Sequence, residues 1–183
     1  CGRIPSSEDT TISDLRTHQP RPNAAASNEV DGLVGEDLGV YRLEGLLGAG
    51  AMGRVYLARH RDLERSCALK ILPPQLAASD PAYVARFANE GRAAASLVHP
   101  NIITVHAIGQ ERGINFLEME FVAGQTLKHL VAEEGPQTPE RATALVARIA
   151  EGLAVAHAHG VLHRDLKLDN VLLTHQGIPK IAD

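Results

Sequence analysis

Near the C-terminal end, Asp165-Leu166-Lys167-Leu168-Asp169-Asn170 gathers a carboxylate, an ammonium group and a carboxamide into six residues, with His163-Arg164 just before them. Oxygen ligands such as these suit a hard cation, and a nearby ammonium group suits a developing anion. A short polar loop that holds such groups at fixed separations has what phosphoryl transfer requires, because positioning and electrostatic stabilisation carry most of that catalysis. The loop must therefore be pinned by its neighbours.

Both neighbours have the sequence for it. Upstream, Thr138 and Pro139 give a helix start, with a side-chain acceptor at the cap and no N–H to satisfy at the first helical position. Ala142, Leu145, Val146, Ile149, Leu153 and Ala156 follow as an apolar stripe, and Gly160 closes the helix. Downstream, Val171-Leu172-Leu173 and Ile178-Pro179-Lys180-Ile181-Ala182 read as a hairpin with Asp183 at its end. His157 and His159 are two apart and so point to different faces of the helix, which argues against a metal pair.

Further upstream, Tyr41–Leu47 and Arg54–Arg59 read as two strands, with Val55 and Leu57 on one face. Gly48-Ala49-Gly50-Ala51-Met52-Gly53 between them fits G-x-G-x-x-G. An ordinary glycine-rich hairpin, a dinucleotide-binding turn and a flap over a nucleotide triphosphate all share that pattern. The dinucleotide turn requires a helix after the third glycine, whereas β-branched and aromatic residues follow here, and the Gly-Lys-Ser/Thr of a P-loop is absent. Ser66–Leu72 is strand-like, with Lys70 among apolar neighbours; it faces either solvent or a compensating anion. Pro73-Pro74 ends that strand.

Asp80 and Pro81 open a helix in which Tyr83, Val84, Phe87, Ala94, Leu97 and Val98 fall at helical spacing, up to His99-Pro100. Glu90 sits on or beside its inward face, as a solvated glutamate or as an ion-pair partner for Lys70, and Gly91 weakens the helix interior by roughly 1 kcal/mol. A mobile helix at this point would suit regulation. Asn101–Ile108 and Ile114–Phe121 complete the set as two more strands.

Composition sets outer bounds. With 44% apolar and 22% charged residues and a net charge of −4, the 183-residue chain has the make-up of a soluble domain and offers nothing to nucleic acid or an anionic membrane. Cys1 and Cys67 form no disulfide framework or metal pattern, and no apolar run is long enough to span a bilayer. No signal peptide is visible, so a cytoplasmic setting is expected. Residues 1–36, rich in Ser, Thr, Pro and Asn without apolar period, read as a flexible tail or linker.

His163 to Asn170 resembles the catalytic loop H-R-D-x-K-x-x-N of eukaryotic-type protein kinases, and the glycine loop, Ala68-Leu69-Lys70, Glu90 and Glu120-Phe121-Val122-Ala123-Gly124 follow the family's order. The resemblance covers about Tyr41 to Asp183. It implies an α+β, bilobal kinase-like fold: an N-lobe over about 41–119 with a five-stranded antiparallel sheet and one main helix, a hinge at 120–124, and an incomplete, mostly helical C-lobe over 125–183. It implies that Asp165 orients a substrate hydroxyl and takes its proton, that Lys167 neutralises the transferring phosphoryl group, and that Lys70, paired with Glu90, holds the inner phosphates of ATP. By the same resemblance Asn170 and Asp183 hold Mg²⁺, Gly48, Ala49, Gly50 and Gly53 cover the phosphates, and Val55, Ala68 and Leu172 sandwich adenine. Glu120 and Val122 would offer hinge backbone, with Met119 guarding the pocket behind.

Lys167 is what serine/threonine kinases carry, and Arg164 resembles members controlled by activation-loop phosphorylation. GAGAMGRVY with the HPNI segment is similar to bacterial members related to membrane-anchored kinases, which implies protein Ser/Thr substrates and a parent that could be anchored outside this stretch. Leu168 replaces a common proline. The Phe-Gly, activation loop and later helices of a kinase are not present after Asp183, so this polypeptide alone is expected to be poorly stable and nearly inactive. Two other readings remain open at this point: a non-catalytic nucleotide-binding scaffold, and a kinase-fold enzyme acting on small molecules.

Overall fold

The computed structural model describes residues 32–50 and 53–182. Most of the expected tail, residues 51 and 52 of the glycine loop, and Asp183 lie outside the described residues.

The first half is a sheet with helices on one face. Its elements are β1 (Asp37–Leu38), β2 (Tyr41–Gly50), β3 (Gly53–His60), β4 (Arg65–Ile71), α1 (Pro74–Ser79), α2 (Pro81–Ala95), β5 (Val105–Glu111) and β6 (Ile114–Glu120). The sheet is antiparallel in the order β1-β2-β3-β4-β6-β5. The five expected strands are all there, and two-residue β1 adds an edge, where the Asp37 carboxylate accepts from Arg42 and Arg61. Pro74 ends the β4 extension as expected but also opens six-residue α1, since a proline costs nothing at a first helical position. Asp80 caps α2, its carboxylate accepting from the Ala82 N–H at 2.8 Å. The helix stops at Ala95, short of the expected Val98, whose side chain is 83% exposed.

Strand alternation gives the sheet two different faces. Tyr41, Leu43, Tyr56, Ala58, Cys67, Leu69, Ile71 and Phe116 form a core on one. The ladder places Val55 opposite Lys70, Leu57 opposite Ala68, and Ala68 and Lys70 opposite Met119 and Leu117 on the other. There α2 rests through Phe87 against Leu72 and Leu117, with Leu76 of α1, Val84 and Met119 around them.

Gly91 permits that seat: a Cβ there would lie 2.5 Å from one Leu117 methyl and 3.2 Å from an Ile108 methyl. It is buried in the helix–sheet contact, where the missing side chain permits the close approach.

The first core also encloses an acid. Glu118 is 4% exposed, ion-paired to Arg65, and accepts from the Tyr41 hydroxyl at 3.0 Å. A buried carboxylate must be compensated in this way. Burial, and then the Glu118 charge, push the neighbouring Cys67 thiol up to about 11, and push the Tyr41 hydroxyl upward as well.

The second half contains β7 (Gly124–Thr126), α3 (Leu127–Glu134), α4 (Pro139–Ala158), a 3₁₀ turn (Leu168–Asn170), β8 (Val171–Thr174) and β9 (Pro179–Ile181). Its three-stranded sheet runs β7-β8-β9. Thr126 and Thr138 cap the two helices, accepting from the His129 and Arg141 N–H groups at 3.1 and 3.3 Å. Leu127, Leu130, Leu145, Val171 and Leu173 pack as one cluster with Ile149. The buried line of α4 is Leu145, Gly152 and Ala156; Val146, expected in the stripe, is 64% exposed, so the stripe is narrower than its spacing suggests.

The two halves meet at β9. Residues 101–103, expected as the start of a strand in the first sheet, instead run beside β9 through a parallel bridge, Ile102 to Ile181. The Ile103 N–H donates to the Ile181 carbonyl at 2.9 Å, the Ile181 N–H donates to the Asn101 carbonyl at 2.8 Å, and the Asn101 amide donates to the Pro179 carbonyl at 2.7 Å. Asn101 is 3% exposed, and its one side chain closes the joint.

Gly91→Ala gains about 1 kcal/mol of helix propensity but forces a methyl into Leu117, so it should destabilise by a net of about 1–2 kcal/mol in urea unfolding. The Cys67 thiol, ordinarily near 9, binds its proton more tightly in the folded state, where it titrates at about 11. Its contribution to stability is therefore complete below pH 9 and lost as pH rises to 11. Between those limits the wild type should lose up to about 2 kcal/mol more than Cys67→Ala, a difference read from denaturant midpoints at each pH.

Candidate active site

The loop after α4 reaches its shape through local hydrogen bonds. The Asp165 N–H donates to the His163 carbonyl at 2.8 Å, closing a three-residue turn with Arg164 at φ 62°. A non-glycine residue in that region stores strain, which persists only where the surroundings over-determine it. Here they do. A ring nitrogen of His163 meets the Ala182 carbonyl at 3.0 Å, and the Ala182 N–H donates to the Asn170 carbonyl at 2.8 Å, so Ala182, just past β9, clamps both ends of the loop.

Inside the clamp, three of the expected residues come together. Lys167 Nζ donates to Asp165 Oδ2 at 2.6 Å, and Asn170 Nδ2 donates to the Asp165 carbonyl and to Oδ2 at 2.9 and 3.3 Å. The Lys167 hydrogen bond, chiefly, holds the exposed Asp165 carboxyl below the usual carboxylate range, so it is ionised at neutral pH. The engaged amide nitrogen leaves the Asn170 carboxamide oxygen as the group suited to a hard cation. Among the described residues no cluster of three or more His, Cys, Asp or Glu could hold a metal ion by protein ligands alone. A carboxamide oxygen is the kind of ligand Mg²⁺ takes, usually beside a carboxylate and substrate phosphates.

The residues expected to wall a nucleotide cleft lie on the α2-facing side of the first sheet. Val55, Ala68, Lys70 and Met119 share that face through the ladder, with Ala68 6% exposed and the other three half-buried. Val122 is buried just past β6, and Leu172 is half-buried on β8. Gly48, Ala49 and Gly50 are exposed at the turn of the β2–β3 hairpin. Gly53 has φ 146°, and a Cβ there would lie 2.5 Å from the Ile71 carbonyl oxygen, so only glycine lets the hairpin return over β4. Glu90 is not brought to Lys70: it is exposed on α2, and among the described residues no ion pair joins the two. The helix seats through Phe87 and Gly91, leaving Glu90 on its flank.

Other contacts went unread in the sequence. Lys128 of α3 donates to Asp169 at 2.7 Å, tying that helix to the loop. Lys180 of β9 donates to Glu120 at 2.9 Å, and the Thr104 N–H reaches the same carboxylate at 3.4 Å. Pairs 41 and 60 residues apart leave no local signal. The nearest hint was a lysine between two buried residues in a short strand.

The protein kinase domain family matches residues 41–183. Serine/threonine-protein kinase PknH of Mycobacterium bovis is 39% identical over 157 residues, which is 86% of this chain and 26% of that protein. Serine/threonine-protein kinase PrkC of Bacillus subtilis is 38% identical over 152 residues, 82% of this chain and 23% of that one. The crystal structure of the M. tuberculosis PknI kinase domain aligns with a TM-score of 0.70 at 36% identity, covering 82% of this chain and 60% of that one. The chain thus spans about a quarter of the length of these curated relatives. A family match over residues 41–183, a shared fold and relatives of this similarity agree: the chain belongs to the protein kinase domain family, among its bacterial, eukaryotic-type serine/threonine members.

Proposed function

We propose that the full-length protein carrying this sequence is an ATP-dependent protein serine/threonine kinase, with lobes over about 41–119 and 125–183 and a hinge at 120–124. The observation that carries this reading is the Asp165–Lys167–Asn170 cluster, in a loop tied at both ends to Ala182 just past β9. Asp165, kept ionised by Lys167, receives and orients a Ser or Thr hydroxyl and takes its proton as the phosphoryl group is captured. Lys167 then exchanges its carboxylate partner for the equatorial oxygens of that group, offsetting charge as it develops. Lys70 neutralises the inner phosphates. Val55, Ala68 and Leu172 supply apolar surface for adenine, and Met119, Glu120 and Val122 edge its pocket. Asn170 and Asp183 would hold Mg²⁺, which would supply positive charge to offset that of the phosphates. Pairing of Lys70 with Glu90 requires α2 to turn, and belongs in this reading to the nucleotide-bound state.

The named relatives are serine/threonine-protein kinases, which supports protein hydroxyls as the acceptor class. Membrane attachment, in this reading, lies outside the described residues, among which no helix is long and apolar enough to cross a bilayer. A second reading, a nucleotide-binding scaffold without transfer activity, is favoured by one observation, the exposed Glu90 away from Lys70.

Phosphate transfer to a generic basic protein separates the two readings. In a polypeptide extended through a whole kinase domain, Asp165→Asn should lower kcat by about a hundredfold or more while the KM for ATP stays within about threefold. Transfer that survives the substitution, or is absent from the wild type, would favour the scaffold.

A further inference from the structure

Glu120 ends β6 and Lys180 is the middle residue of β9, so their ion pair joins the two sheets. Lys180 Nζ lies 2.9 Å from the carboxylate, with the side chains only 14% and 30% exposed. Such a pair is better shielded than an ordinary surface pair, whose net value is small. The same carboxylate accepts from the Thr104 N–H at 3.4 Å, while the Glu120 N–H donates to the Thr104 carbonyl at 2.8 Å. Three segments therefore converge on Glu120: the end of β6, the entry to β5, and β9.

The ladders define its direction. Glu120 stands opposite Cys67 and alternates with Met119, so its carboxylate leaves β6 on the side away from the cleft wall. Lys180 stands opposite Leu172, so its stem runs beside the apolar residue assigned to the adenine floor before reaching up to Glu120. The pair links the same two sheets that residues 121–123 join covalently, between the end of β6 and the start of β7. Rotation of one sheet against the other about that connection must change its length.

The Asn101 joint alone would let β9 pivot, because its hydrogen bonds cluster at Pro179 and Ile181 along one side of the strand. A second attachment through Lys180 removes that freedom. We propose that the Glu120–Lys180 pair sets how far the nucleotide cleft opens, which makes both side chains positioning residues for nucleotide binding. This rests on the kinase reading above and adds to it a role for two charged side chains outside the reacting groups. The charge of Glu120 thereby acts separately from the hinge backbone assigned to adenine.

The test is a set of variants of the full-length protein, Lys180→Met, Glu120→Gln, their double and Lys180→Arg, with Mg·ADP affinity measured by calorimetry and kcat and KM for ATP by phosphate transfer. Glu120→Gln keeps the shape and the acceptor for Thr104, so it probes charge in a folded background. Each single neutral variant should weaken Mg·ADP by about three- to tenfold, and the double should be no weaker than the worse single, as coupled partners require. Lys180→Arg should bind within about twofold of wild type, and KM for ATP should rise more than kcat falls. Variants that bind as tightly as wild type, or a double whose loss is the product of the singles, would overturn the role of the pair while leaving the kinase reading intact. A wild type that binds no Mg·ADP would overturn both.

Discussion

The structure depends on a two-rung backbone ladder, in which the Ile103 N–H meets the Ile181 carbonyl and the Ile181 N–H meets the Asn101 carbonyl. Each rung alone is modest, on the order of 1 kcal/mol. Their position gives them weight. β9 is an edge strand of the second sheet, and the ladder pairs its outer side with a segment that leads directly into the first. An edge that would otherwise present unpaired groups becomes the seam of the molecule. The loop that carries Asp165 hangs from the residue just past this strand, through Ala182 to Asn170 and His163. Placement of Asp165 relative to the wall bearing Lys70 is therefore set by one short strand rather than by the loop itself.

Polar groups are buried only where they do positional work. Asn101 fixes the seam, and Glu118, with Arg65 and Tyr41, ties the starts of β4 and β2 to β6 inside the first core. A hydrophobic residue at either place would avoid desolvation, but would lack the directionality that sets register. The strained Arg164 φ is the counterpart at the site: the turn holds because His163, Asp165 and Asn170 are each engaged on both sides. Order at the seam compensates for strain in the loop.

The parts of the fold legible in the sequence were those with local causes. α2 and α4 declared themselves through Asp80-Pro81 and Thr138-Pro139, where the cap and the proline act within one turn, and the Asp165, Lys167 and Asn170 cluster was legible because six residues suffice to bring it together. What escaped was short or distant. β1, α1 and β7 span two, six and three residues, too few for any period to register. Asn101 to Ile103 carry strand-like side chains, and nothing local says which sheet will claim them. Phe87 marks the inner face of α2, but Tyr83, expected beside it, is exposed, Glu90 falls on the flank, and a pairing with Lys70 depends on the rotation of the helix. Gly91 looked like a weakness by propensity and proved to be a contact, because propensity does not see Leu117.

Amide hydrogen exchange at Ile103 and Ile181 tests the seam most directly. If β9 holds the two halves together, both amides should exchange in step and as slowly as the Leu69 amide at the centre of the first sheet, and Asn101→Ala should speed both. Exchange at Ile103 and Ile181 as fast as at the exposed turn around Gly113, with Leu69 still protected, would contradict the account.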